Sequence, residues 1–241
     1  TEIADYTSPF SLELNTKNYS NGPNTFFVRL YTINEEIFDS EDINFTINNF
    51  LVFSTLFGST EKNESGHSIL QKQDSNFVVL GNVDNDVLML EADNKGNVIW
   101  SQSYGGSQLD EAYHFKHTND GGYIISGSTS SYGFGGSDIW LIKSGSNGLI
   151  EWNTYIGTEY DEQGGQVIQT EDGGYLVVGN RINDQRQDSD VWLIKTNSQG
   201  DSIWTKTYGG LGEDIGSDII QIENNGYILL GSTTSYGDGD Y

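Results

Sequence analysis

Three tryptophans fix the reading of this chain. Trp100, Trp152 and Trp204 stand at intervals of 52 residues, and Asp86, Asp138 and Asp190 keep the same interval. A period of this size is the mark of a stacked repeat architecture, in which each unit buries its faces only against its neighbours. A weaker earlier copy has Phe53 where tryptophan is expected, 47 residues before Trp100.

One copy shows the grammar. The segment from Asp110 to Thr118 alternates as an extended strand and runs into the turn Asn119–Gly122, where an Asp-Gly pair predicts a two-residue hairpin. Tyr123–Thr129 forms the next strand, and the Gly/Ser-rich stretch SSYGFGGS follows as a loop. DIWLIK, Asp138–Lys143, is almost continuously apolar, as a strand covered on both faces must be. The turn SGSNG then leads into LIEWNTY, Leu149–Tyr155. Four strands fit one period, which is the blade unit of a β-propeller. A β-helix has far shorter rungs, and the 3.6-residue period of helical repeats is absent.

The expected fold is therefore all-β, a β-propeller of four-stranded blades with about four blades in this chain. The repeats fall at about 50–104, 105–155, 156–207 and 208–241, with 1–24 as an N-terminal arm or linker before a propeller region of 25–241. Asp240 and Tyr241 align with the start of a third strand. Two readings stay open. The chain is a fragment of a larger propeller, or the N-terminal stretch 25–58 completes the last blade, with TFFVRLYTI as its third strand and FLVFSTLFG as its fourth.

The string YGG…NDGGYIISGSTSSYGFGGSDIWLIK resembles the repeats of secreted and surface lipoprotein-type β-propellers of Bacteroidetes-like bacteria. The resemblance covers roughly residues 50–241. It implies an exported protein at the cell surface, associated with the outer membrane, secreted, or in the periplasm.

Composition narrows the function. Acidic residues outnumber basic ones 35 to 11, for a formal charge of −24, which repels nucleic acid and anionic membrane surfaces. The absence of cysteine removes disulfides, thiolate metal sites and cysteine nucleophiles. No apolar run reaches the length that would span a membrane as a helix. No nucleophile elbow, phosphate loop or zincin motif occurs.

The expectation is a non-catalytic extracytoplasmic binding or scaffold module, an accessory subunit of an outer-membrane or cell-surface assembly, with a protein partner or a glycan. The alternatives are a glycan-active or quinone-dependent enzyme working in the propeller channel, and a structural spacer of a longer adhesin. Asp110, Asp161 and Asp214 each lie four residues after the last glycine of a Y-(G/I)-G motif, and a ring of such carboxylates suits Ca²⁺. No other cofactor is expected. Tyr132, Phe134 and Tyr236, in Gly/Ser-rich loops, are the expected contact residues. Tryptophans at repeat-equivalent positions and the third-strand aspartates read as architecture, because they recur from copy to copy.

Overall fold

The computed structural model describes residues 62–183, 188–223 and 226–235, with the short strands β1 (Leu30–Tyr31) and β2 (Ile37–Phe38). The chain divides into two compact units, Thr1–Val52 and Phe53–Tyr241. In the first, β1 and β2 pair antiparallel.

The second unit is all-β and antiparallel. Its first sheet is a meander of β3 (Glu64–Gln71), β4 (Phe77–Val83), β5 (Asp86–Ala92) and β6 (Val98–Tyr104). The second repeats the order with β7 (Asp110–His117), β8 (Tyr123–Thr129), β9 (Asp138–Ser144) and β10 (Ile150–Ile156). In the third, the first strand is broken into β11 (Glu162–Gln163) and β12 (Val167–Gln169), followed by β13 (Tyr175–Asn183), β14 (Asp188–Thr196) and β15 (Ser202–Tyr208). The fourth holds β16 (Asp214–Ile222) and β17 (Gly226–Thr233). The 52-residue spacing is thus one four-stranded sheet. Of the stretches invoked for closure, 50–58 and most of 25–33 lie outside the described residues, as does all of 1–24.

Alternation along the strands decides how the sheets pack. In β8, Tyr123 and Ile125 face the first sheet, where Val78, Leu80, Val87 and Met89 meet them. Ile124, between them, faces the third sheet and packs with Val167, Tyr175 and Val177. Trp140 and Ile142 of β9 follow the first group, Ile139 and Leu141 the second. Both faces of the second sheet are therefore core, and every residue of β8 and β9 is buried. This explains why DIWLIK lacks the polar-apolar alternation of a half-exposed strand.

The tryptophans lock adjacent sheets together. Gly148, in the β9–β10 turn, has φ +75°, and a methyl placed on it would sit 2.6 Å from the Trp100 ring of the sheet before. Gly200, in the β14–β15 turn, has φ +86° and stands in the same relation to Trp152. Only glycine combines the left-handed backbone with this close approach. Tyr104 adds a hydrogen bond, its hydroxyl donating to the carbonyl of Gly148 at 2.6 Å.

The turn chemistry differs from the expected two-residue hairpin. Gly121 N–H donates to Thr118 O, and Thr118 N–H donates to Gly122 O. Gly121 has φ +84°, whereas Asp120 is not among the positive-φ residues. A two-residue type I′ turn needs positive φ at both central positions; a longer turn closed by one left-handed glycine forms instead. The side chain explains the choice. Asp120 Oδ1 accepts from Thr118 Oγ1 and from Gly122 N at 3.0 Å, and Asp172 does the same for Thr170 and Gly174.

Gly200→Ala is expected to cost about 2 kcal/mol, from positive φ plus collision with the Trp152 ring. Urea unfolding should show a lower midpoint with an unchanged slope. A midpoint equal to that of the parent would mean the ring and turn are not in contact.

Candidate functional site

The acidic positions at the start of each first strand are the natural place to look for chemistry, because all four sheets begin with an acid, exposed Glu64 in the first and buried acids in the other three. Counting from the glycine motif groups Asp161 with Asp110 and Asp214. The structure corrects the middle member: β7 and β16 begin at Asp110 and Asp214, and β11 begins at Glu162. Glu162 is 1% exposed, beside 0% for Asp110 and 3% for Asp214, while Asp161 is exposed. The 52-residue interval through Trp152 marks Glu162 as the equivalent position. The motif count missed it because Tyr155-Ile156-Gly157 is offset by one residue from Tyr104-Gly105-Gly106.

Each buried acid is held by groups of its own repeat. Asp110 Oδ2 accepts from Gly106 N at 2.7 Å and Ser131 Oγ at 2.6 Å, and Oδ1 accepts from Thr129 Oγ1. Glu162 accepts from the amide and hydroxyl of Thr158. Asp214 Oδ2 accepts from Gly210 N and Ser235 Oγ. Asp161 Oδ1 accepts from Ser137 N at 2.8 Å. The acids stand in separate sheets, and no group of three or more metal-binding side chains occurs among the described residues.

A second acid completes each junction. A methyl on Gly157 would collide with Asp138 Oδ1 and lie 2.6 Å from Glu162 Oε2. The same relation holds around Gly105 for Asp86 and Asp110, and around Gly209 for Asp190 and Asp214. The third-strand aspartate of one sheet and the first-strand acid of the next thus flank one glycine. Asp138 is fully buried; its Oδ2 accepts from Phe134 N, and its Oδ1 has no hydrogen-bond partner. Burial raises the Glu162 carboxyl above its ordinary value; the Thr158 hydrogen bonds oppose the rise, and the Asp138 charge adds to it.

Sequence reasoning missed a set of buried ion pairs. Lys143 and Lys195 are almost fully buried near the C-terminal ends of apolar strands. Lys143 Nζ lies 3.0 Å from Asp120 and 2.9 Å from Glu151, and Lys195 Nζ lies 3.0 Å from Asp172. In the first sheet the charges are exchanged, with Lys72 Nζ 2.8 Å from buried Glu91. The sequence signal was there to read: Glu91, Lys143 and Lys195 keep the 52-residue interval. Hydrogen bonds from Thr170 and Lys195 draw the Asp172 carboxyl down to about 2.

The histidines stand apart. His67 is the extra residue of a bulge in β3, paired through Nε2 with Asn82 and Ser65, and Tyr113 occupies its place in β7. His114 is held near 4 by burial, with Lys116 contributing, and accepts from Val167 N at 3.3 Å. His117 stacks on Tyr123.

Of the expected contact residues, Tyr132 is 43% exposed, stacks on Tyr155 at 5.3 Å and donates its hydroxyl to Gly105 O. Phe134 is 72% exposed, and its side chain lies at the surface of the β8–β9 loop. Tyr236 lies outside the described residues. Beside this loop a cleft of about 470 Å³ opens between the strand ends, lined by Ser137, Asp161, Glu162, Gln163, Asn180 and Glu213 among others. No protein family matches the chain, and no curated protein does. No helix among the described residues is long and apolar enough to cross a membrane.

Two pH effects of opposite sign follow. Asp172 has a depressed folded value, so its contribution is complete above pH 3.8 and is lost as pH falls toward 2. Glu162 has a raised folded value, so its contribution is present below pH 4.5 and is lost as pH rises through the folded value. Glu162→Gln should therefore gain stability over the parent at pH 7 and lose that advantage toward pH 4. Thermal melts across this range would show a constant difference if Glu162 titrated normally.

Proposed function

We propose that this chain is a non-catalytic, extracytoplasmic β-propeller module that binds a protein partner, an accessory part of an outer-membrane or cell-surface assembly. One observation carries the reading: the side chains capable of chemistry are occupied in holding the repeat together, while an aromatic that is not repeated stands in solvent. The buried acids satisfy turn amides and hydroxyls, the buried lysines are neutralised by carboxylates near the strand ends, and Trp100 and Trp152 cover glycine turns. Phe134 serves no such purpose at 72% exposure, and exposed aromatics are enriched where proteins anchor one another.

The propeller reading is supported by the repetition of one antiparallel meander along the chain. Three successive four-strand meanders pack face to face, the third also on the hairpin β16–β17. The resemblance of the YGG…DGGYIIxGS repeat to secreted and surface propellers supports the location. The high negative charge suits association with a partner bearing a basic patch, since complementary fields speed encounter.

A glycan-active enzyme is the second reading, and the cleft beside Glu162 favours it. Asp161, Glu162 and Glu213 line one opening together with the amides of Gln163 and Asn180. Paired carboxylates of which one has a raised value are what glycoside hydrolysis requires. The two readings part in one experiment. The immobilised chain, offered solubilised surface proteins of its source cells, should retain a specific protein, and Phe134→Ala should reduce retention about tenfold. Release of reducing sugar from a glycan panel, abolished by Glu162→Gln, would establish the enzyme instead.

A further inference from the structure

The three turns that join third strands to fourth strands share one hydrogen-bond frame and differ in how it is capped. In each, a glycine donates to the first residue of the turn: Gly96 N–H to Asp93 O, Gly148 N–H to Gly145 O and Gly200 N–H to Asn197 O. In the first and third turns, the side chain of that first residue caps the frame. Asp93 Oδ1 accepts from Lys95 N and Asn97 N, and Asn197 Oδ1 accepts from Gln199 N and Asp201 N. The second turn has Gly145 at this place and no side chain to cap with. Its cap comes instead from the residue before the seated glycine: Asn147 Oδ1 accepts from Leu149 N at 3.2 Å.

The relocated cap has a chemical consequence. A side-chain oxygen that reaches the amide two residues on folds the asparagine back over its own peptide bond, which brings the Asn147 carboxamide carbon toward Gly148 N. The Leu149 N–H polarises that carboxamide in the manner of an oxyanion donor. Gly148 has no side chain to obstruct the approach, and Asn147 is exposed to water. The other two turns lack the chemistry. Lys95 has no carboxamide, and Gln199 is one carbon too long to close a five-membered ring.

We propose that Asn147–Gly148 is a site of self-modification, where the chain converts Asn147 to isoaspartate at a rate set by the seat of Gly148 on Trp100. Gly148 N bonds to Asn147 Cγ, the Cγ–Nδ2 bond breaks, and ammonia leaves with the amide proton. A five-membered succinimide remains. Water then adds to the main-chain carbonyl carbon of Asn147, and the bond from that carbon to Gly148 N breaks. The main chain now runs through Cβ and Cγ, one atom longer, and the old carbonyl has become a carboxylate. The extra atom enters directly before Gly148, which lies against the Trp100 ring and whose carbonyl accepts from Tyr104. The change therefore loosens the junction between the first and second sheets. The same contacts restrain the reaction beforehand. Gly148 N becomes a nucleophile only when its 3.0 Å bond to Gly145 O opens, and Trp100 and Tyr104 hold the turn closed. The site stands on turn geometry and is independent of the surface at Phe134.

The test holds the whole chain in warm, mildly alkaline buffer and follows it by peptide mass mapping and by labelling with an isoaspartyl methyltransferase. Isoaspartate should accumulate at Asn147, while Asn197, the cap of the equivalent turn, stays unchanged over the same period. A free peptide with the sequence of residues 144–150 should convert about tenfold faster or more, because nothing holds its turn closed. Tyr104→Phe, which frees the Gly148 carbonyl, should speed conversion in the chain about fivefold, the factor expected from one lost hydrogen bond. The converted chain should melt below the parent, and Asn147→Gln should keep its midpoint through the same incubation. No isoaspartate at Asn147 after the free peptide has fully converted overturns the site. Conversion of the chain at the peptide's rate, or at a rate indifferent to Tyr104→Phe, overturns control by the junction, and an unchanged melting midpoint after conversion overturns its loosening.

Discussion

Everything in the larger unit depends on the contact between a fourth-strand tryptophan and the glycine turn of the next sheet. The strands are short and their sheets are only four strands wide, so no sheet encloses a core of its own. Burial comes from pressing one sheet onto another, and the tryptophan fixes how the two are aligned. Its ring lies on backbone that a side chain would have pushed away, and for Trp100 the contact is supplemented by the hydroxyl of Tyr104. Trp100 also donates its indole N–H to Glu91 at 2.8 Å, linking this contact to the buried ion pair with Lys72. Packing and electrostatics are therefore joined at one residue.

The ion pairs explain a feature that apolar patterning alone makes puzzling. The lysine that ends DIWLIK would be costly if buried by itself. It is tolerated because its ammonium reaches the strand end, where Asp120 or Asp172 and a backbone carbonyl receive it. The same carboxylates cap their own turns. The turn and the third strand thus share a charge, and the exchange to Lys72 and Glu91 in the first sheet preserves that link with the signs reversed.

Much of this could be read from the residues. The tryptophan interval gave the size of the sheet, and the apolar run of DIWLIK gave its burial on both faces. The turn type was missed because an Asp-Gly pair fits two hairpin classes. The side chain of Asp120 chooses between them, through bonds to Thr118 and Gly122 that depend on geometry. The acid register was missed for a different reason. A local motif was counted where the 52-residue interval was the better ruler, and one shifted tyrosine moved the expectation from Glu162 to Asp161. The joining of Asp138 and Glu162 around Gly157 had no sequence signal, since it pairs residues of adjacent sheets that are 24 positions apart.

The meander order has a consequence for how the chain acquires its structure. Among the described strands of the larger unit, pairing follows sequence order within each sheet, apart from β11, the first part of a broken strand, which pairs with β13 past β12, and each sheet packs on the one made just before it. Pairing within a sheet is therefore local, while packing between sheets joins more distant residues, such as Tyr104 and Gly148, 44 positions apart. A growing chain could add one sheet at a time, each new hairpin condensing on a finished surface. Until the next sheet arrives, the last one presents a bare apolar face. During synthesis, the growing chain therefore carries a sticky apolar face at its newest sheet, and that face moves along the chain as the chain lengthens.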